Sequence, residues 1–255
     1  KIKYLCKKNN LIFLSSPFSN KAVDVLRKIQ VPAWKIGSGE FFSNQMLNKI
    51  FKFKQPIILS TGLSTIKEIK DKIKIIRKQK CQFILMQCTS LYPCSFDKIG
   101  VNLIKEFKKK FNCLVGLSDH SGSIYPSIYA MINGASIVEV HVGDKKNKKN
   151  PDHSSSISFK DLEELVRARD IIFQLKDNPV KKVKLDTKLV KIKKIFTKSC
   201  ALKKPKNKGE ILTKEDIIFK KPGTGIKENQ IKKIIGKKFS KNVSNDRLLR
   251  LGDFK

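Results

Sequence analysis

The chain has 255 residues, with 55 Lys and Arg against 22 Asp and Glu, a formal net charge of +33. That length holds a full α/β core with a small appendage, and it contains no run with the marks of a transmembrane helix or a signal peptide. The charge invites a nucleic-acid reading, but it is nearly all lysine, is spread over nearly every helix and loop, and is not interleaved with aromatics as a base-stacking groove requires.

The first ten residues, KIKYLCKKNN, read as a helix tail running into the first of six similar segments. These are LIFLSSPF (11–18), AWKIGSGE (33–40), PIILSTG (56–62), QFILMQCTSLYP (82–93), CLVGLSDH (113–120) and SIVEVHV (136–142). Each is a β-branched or aliphatic run that ends in small polar or charged residues, and amphipathic helical stretches lie between them. Parallel strands need helical crossovers, so this alternation predicts a parallel α/β sheet. Ser64 or Thr65 can cap the helix after PIILSTG, with Glu68 reaching back, and Ser158 with Asp161 can cap DLEELVRARDIIFQL. The basic stretch that follows, KDNPVKKVKLDTKLVKIKK (177–194), contains a proline and no clear amphipathic order, so it reads as a linker. From about Ser199 short elements separated by Gly and Pro take over. There KNKGEILTKEDIIFKKPGTGI (206–226) predicts a turn, a short helix capped by Thr213, and a strand. The expected division is 1–176, a linker over 177–197, and 198–255.

In a parallel α/β sheet the carboxyl ends of the strands share one face, and chemistry gathers there. Those ends carry Ser15, Ser16, Lys35, Ser38, Glu40, Ser60, Thr61, Thr89, Ser90, Tyr92, Ser118, Asp119, His120 and His141. His120 and His141 end adjacent predicted strands, about 4.8 Å apart. Two neutral imidazoles there suit a divalent transition metal with open positions. The alternative is that each ring simply hydrogen-bonds within the mouth. A hydrolase triad at Ser-Asp-His 118–120 is set aside, because neighbours on a strand point to opposite faces and no G-x-S-x-G elbow exists. KIGSGE offers a lysine and small residues as a phosphate or carboxylate cradle. STG before a capped helix is a second anion position by geometry, and Asp152, in the polar loop PDHSSS, can contact a sugar hydroxyl or make an Asx turn. The six cysteines form no C-x-x-C pair, and several lie inside strand runs and read as buried thiols of a reduced cytoplasmic protein.

Taken in order, SSPFS, PAWKIGSGE, PIILSTGLSTIKEI, CTSLYP, VGLSDH, VEVH, PDHSSS and KGEILTKEDIIFKKPGTGI resemble the sialic acid synthase family (N-acetylneuraminate, legionaminate and pseudaminate synthases). The resemblance spans nearly the whole chain. It implies a TIM-type (β/α)₈ barrel followed by a small antifreeze-like SAF domain. The implied reaction condenses phosphoenolpyruvate with an N-acetylated amino sugar to a nine-carbon 2-keto-3-deoxy acid and phosphate. It also implies Mn²⁺, with Mg²⁺ or Co²⁺ as alternatives, on His120 and His141. Ser16, Lys35, Ser38, Ser60, Ser90 and Ser118 would then surround phosphoenolpyruvate, with Thr61 beside them. Phe18, Glu40, Tyr92 and Asp152 would face the sugar, Glu40 and Asp152 as candidate catalytic carboxylates. Lys221 would reach the site of a second subunit in a homodimer with exchanged SAF domains; it stands where many members carry Arg. In this correspondence LIFLSS is the third barrel strand, so strands three to eight are expected, without the first two βα units and with exposed edges on LIFLSS and SIVEVHV. The rival expectations are another phosphoenolpyruvate- or aldolase-type barrel enzyme, which has no reason to carry the SAF-like tail, and a basic nucleic-acid-binding protein. No membrane partner is expected.

Overall fold

The computed structural model describes residues 1–144, 149 and 151–255. They form two compact units, Lys1–Pro179 and Val180–Lys255. The N-terminal unit contains a six-stranded sheet whose strands pair in chain order, all parallel. The strands are β1 (Trp34–Ile36), β2 (Ile57–Ser60), β3 (Phe83–Cys88), β4 (Leu114–Asp119), β5 (Val138–Val142) and β6 (Ser156–Ile157). Around them run α1 (Ile2–Lys8), α2 (Asn20–Ile29), α3 (Asn44–Phe51), α4 (Ile66–Lys78), α5 (Asn102–Phe111), α6 (Tyr125–Ile132) and α7 (Phe159–Asp177).

The helices bury apolar residues at helical spacing. α4 presents Ile69, Ile73 and Ile76, and α5 presents Ile104, Phe107 and Phe111, to a core that includes Trp34, Ile36, Leu59, Leu85, Val115 and Leu117. Helix starts follow local chemistry. Thr65 and Glu68 form a reciprocal capping box at α4, and Ser158 and Asp161 do the same at α7. The sheet curls into a half-barrel. Its curvature is measured by one contact: Lys35 on β1 and Glu139 on β5, with β2, β3 and β4 between them in the sheet, meet at 3.2 Å.

The sheet has six strands, but not the six expected. LIFLSSPF forms no strand, and Leu11 and Ile12 are 64% and 77% exposed. Its apolar run carries β propensity, yet a strand exists only where a neighbour accepts its backbone, and no ladder pairs with 11–18 among the described residues. The sixth place goes to Ser156–Ile157, inside the stretch read as a polar loop. It pairs His141 with Ser156 and Val142 with Ile157. Two residues are too few for any pattern to announce them. The edge expected to be bare on SIVEVHV is therefore covered at its carboxyl end.

In the C-terminal unit, β7 (Ser199–Leu202) and β8 (Ile217–Lys220) pair antiparallel over a core of Cys200, Leu202, Leu212, Phe239, Val243 and Leu249. Two expectations are corrected here. The stretch read as a linker contains a helix, α8 (Thr187–Phe196), whose cap is Asp186 accepting from the Lys188 N–H at 2.7 Å. Thr213 caps no helix. Its N–H and hydroxyl both donate to Asp216 Oδ2, at 2.9 and 3.0 Å, and close a turn into β8. Among the described residues, no helix is long and apolar enough to cross a membrane.

Candidate functional site

Strand alternation places Lys35 on the concave side of the sheet, between Trp34 and Ile36, which are fully buried in the core. Its ammonium donates to Ser60 Oγ at 2.9 Å and pairs with Glu139 Oε1 at 3.2 Å. Ser118 Oγ donates to the same carboxylate oxygen at 3.3 Å. Lys35 and Glu139 line a cavity of about 570 Å³ together with Ser15 and Ser16. The result is an ammonium surrounded by hydroxyls at the strand ends, which is what a phosphate or carboxylate ligand requires.

A second cluster adjoins the first, since Cys88 and Ser118 are ladder partners. The chain turns after β1 through a short 3₁₀ segment, Ser38–Glu40, which aims Ser38 Oγ at Gly62. The Gly62 N–H donates to it at 3.0 Å. A Cβ on Gly62 would collide with the side chains of Ser38, Cys88 and Ser90, so only glycine allows this approach. Cys88 Sγ lies 3.7 Å from Ser38 Oγ and 3.8 Å from Ser90 Oγ. Burial pushes the Cys88 thiol up, but hydrogen bonds from His120 and Ser38 outweigh it and hold the thiol below its ordinary range.

His120 follows β4 directly and His141 lies within β5; their rings meet edge to face with centroids 5.3 Å apart. Tyr92 packs against both, at 4.1 and 5.8 Å between centroids. Burial disfavours the His120 imidazolium, yet hydrogen bonds to Cys88 and to the Thr89 carbonyl raise its pKa above the usual histidine value. Each ring has an oxygen partner on Nδ1. The Thr89 carbonyl lies 3.0 Å from Nδ1 of His120, and Asp152 Oδ2 lies 3.4 Å from Nδ1 of His141. This is the outer arrangement that orients imidazoles for a cation on the other nitrogen, and two imidazoles are a donor set that suits a divalent transition ion; on His120 such an ion would compete with the Cys88 hydrogen bond. No cluster of three or more His, Cys, Asp or Glu side chains in ligating geometry occurs among the described residues. Further coordination would have to come from substrate or water.

Comparison with known proteins identifies this architecture. Residues 1–181 match the NeuB family and residues 198–255 match the SAF domain. The chain belongs to the NeuB family. That is the family of sialic acid synthases, transferases that form a carbon–carbon bond from phosphoenolpyruvate. The chain is 34% identical to the N,N'-diacetyllegionaminic acid synthase of Campylobacter jejuni, over 96% of this chain and 73% of that protein. It is 30% identical to the N-acetylneuraminate-9-phosphate synthase of Homo sapiens, over 92% and 66%. Among solved structures, the N-acetylneuraminic acid (sialic acid) synthetase of Leptospira borgpetersenii, crystallised with citrate, superposes with a TM-score of 0.68. The match is at 27% identity and covers 75% of this chain and 66% of that one.

Of the residues expected at the NeuB site, Ser16, Lys35, Ser38, Ser60, Ser90, Tyr92, Ser118, His120, His141 and Asp152 are linked through the contacts above and the shared cavity. Others are less engaged. The Thr61 hydroxyl donates to the Met86 carbonyl at 2.9 Å, tying the end of β2 to β3. Glu40 accepts a hydrogen bond from Ser43 just after the 3₁₀ turn. Phe18 is 71% exposed. Lys221 belongs to the C-terminal unit, where its ammonium lies 5.0 Å above the Phe196 ring. Two residues that sequence reasoning missed take part, Glu139 and Cys88. Each sits two positions before an expected site residue, His141 and Ser90. Counting by twos back along the strands would have found both.

Proposed function

We propose that this chain condenses phosphoenolpyruvate with an open-chain N-acetylated amino sugar, an N-acetylmannosamine or a diacetamido-trideoxyhexose, to give a nine-carbon 2-keto-3-deoxy acid and phosphate. One observation carries the reading: the ammonium of Lys35, with the hydroxyls of Ser60 and Ser118, adjoins the His120–His141–Tyr92 cluster at one sheet mouth. In this reading Lys35 and the hydroxyls of Ser16, Ser38, Ser60, Ser90 and Ser118 hold the phosphate and carboxylate, fixing the enol carbon against the aldehyde. A divalent cation, Mn²⁺ or else Mg²⁺ or Co²⁺, held by His120 and His141, would supply Lewis-acid polarisation of the aldehyde oxygen. Tyr92 walls the sugar side, and Asp152 orients the His141 ring through Nδ1. Glu40 and Asp152 are the carboxylates proposed to handle protons near the sugar, and Phe18 a contact for its apolar face. Once the methylene carbon of phosphoenolpyruvate has bonded to the aldehyde carbon, the phosphate-bearing carbon is left cationic; water adds there, its proton goes to the new alkoxide, and phosphate departs.

The test is sugar-dependent phosphate release. Release from phosphoenolpyruvate is expected only with an acetamido sugar; release with a simple aldose phosphate and none with any acetamido sugar would overturn the reading. Elemental analysis accompanies it: His120→Ala with His141→Ala should lose the bound cation, and retention of full metal content would remove those residues from the role. A homodimer in which Lys221 completes a second copy's site belongs to the same proposal, and a fully active monomer in sedimentation would refute it.

A further inference from the structure

We infer that Glu139 is the resident counter-ion of the anion cradle, a positioning residue that holds Lys35 and Ser118 until the phosphate or carboxylate of the substrate displaces it. The identity of that substrate rests on the function proposed above; the exchange itself does not. One oxygen, Glu139 Oε1, meets the ammonium of Lys35 at 3.2 Å and the hydroxyl of Ser118 at 3.3 Å. These partners come from β1 and β4, so the carboxylate ties together strands from opposite sides of the mouth. Ser60 Oγ takes a further hydrogen of the ammonium. Lys35 is thus aimed by one anion and one neutral acceptor.

The same geometry creates a conflict. An anionic ligand arriving at Lys35 meets a carboxylate already there, and two anions compete for one ammonium. Exposure indicates which group yields. The Lys35 side chain is 13% exposed and anchored among hydroxyls, whereas the Glu139 side chain is 42% exposed. Glu139 can rotate into water at small cost, because an ion pair with one partly hydrated member is weak. Lys35 cannot leave without losing Ser60 as well. On ligand binding the ammonium and the Ser118 hydroxyl pass from Glu139 to the incoming oxygens, and the carboxylate becomes hydrated. No bond is made or broken, and no proton needs to move.

A counter-ion predicts opposite signs for affinity and turnover. Glu139→Gln keeps the size and the ability to accept from Ser118 but removes the competing charge. Inorganic phosphate and phosphoenolpyruvate should each bind to the full chain about threefold to tenfold more tightly by calorimetry. Under turnover conditions, KM for phosphoenolpyruvate and kcat should both fall, because Lys35 is no longer held between ligands. A group that only supports the fold would weaken binding and raise KM. Glu139→Asp, one methylene shorter, serves if the Gln variant does not fold, and its affinity should lie between those of Gln and the parent. Unchanged or weaker phosphate binding in a folded Gln or Asp variant overturns the proposal. The two readings fail separately. Tighter phosphate binding in the variant, with no sugar-dependent phosphate release by the parent, would support the counter-ion and refute the proposed reaction. Normal synthase turnover with no gain in phosphate affinity would do the reverse.

Discussion

The two units bury polar side chains to opposite effect. In the C-terminal unit, Asp253 is 1% exposed, and its carboxylate takes a bidentate pair from Arg247 at 2.8 and 2.9 Å, the Arg250 N–H at 2.8 Å, and Lys241 at 3.3 Å. Ser199, also buried, donates to the Pro222 carbonyl and accepts from the Gly225 N–H. Those groups are saturated, and their work is to hold loops together where a small unit has little apolar core. In the N-terminal unit, Ser60, Ser118 and His120 are also buried, yet they meet an ammonium, a carboxylate and a thiol beside the cavity that Lys35 and Glu139 line. Their bonds can be exchanged for a ligand's. Burial alone therefore does not mark a site; burial with partners that can be replaced does.

The largest effect expected from this contrast is at Asp253. Asp253→Ala strands Arg247 and should destabilise the C-terminal unit by about 3–5 kcal/mol in chemical denaturation, while phosphate binding at Lys35 hardly changes. The pH dependence has a definite sign. Burial opposes ionisation of Asp253, but Arg247 and the Arg250 N–H outweigh it and hold the carboxyl below its ordinary value. Its contribution is full above the unfolded aspartate pKa of about 3.9 and is lost as pH falls through the lower folded value. The unit should therefore lose stability as pH falls below about 4, and Asp253→Asn should flatten that dependence in a denaturation series across pH.

Next comes Lys35→Ala, the mirror image. Phosphate and phosphoenolpyruvate should bind about 10- to 100-fold more weakly, corresponding to roughly 1.5–3 kcal/mol for a charge-assisted bond, with the melting temperature nearly unchanged. A large loss of stability would mean that the lysine serves the fold, and the contrast between the units would fail. The smallest effect is at Thr65. Thr65→Ala removes the capping box of α4 and should cost about 1 kcal/mol of stability, with no change in phosphate affinity. A binding defect there would show that this helix start reaches the ligand after all.

Much of the fold and of the site is legible in the order of residues. The parallel class, the capping boxes at Thr65 and Ser158, and the strand-end residues Lys35, Ser60, Ser118, His120 and His141 follow from periodicity, cap chemistry and the tendency of parallel strands to end together. These are local signals, carried by residues a few positions apart. What depends on partners far along the chain cannot be read this way. LIFLSSPF has the composition of a strand and lacks a ladder, whereas Ser156–Ile157 has almost no strand signal and joins one because β5 offers its backbone. Asp186 caps a helix in a stretch whose lysines hide its order.

By itself the sequence determined which side chains stand at the ends of the strands that form, because alternation along each strand and the shared direction of parallel strands fix them; Ser15 and Ser16, at the end of a run that forms no strand, are the exception. Only the tertiary structure decided which of them touch. The curl of the sheet brings Lys35 and Glu139, 104 positions apart, to 3.2 Å, and packs Tyr92 against both histidines. Curl is the accumulated twist of successive strand pairs and the packing of helices outside them. It is a property of the whole sheet, which no single segment encodes.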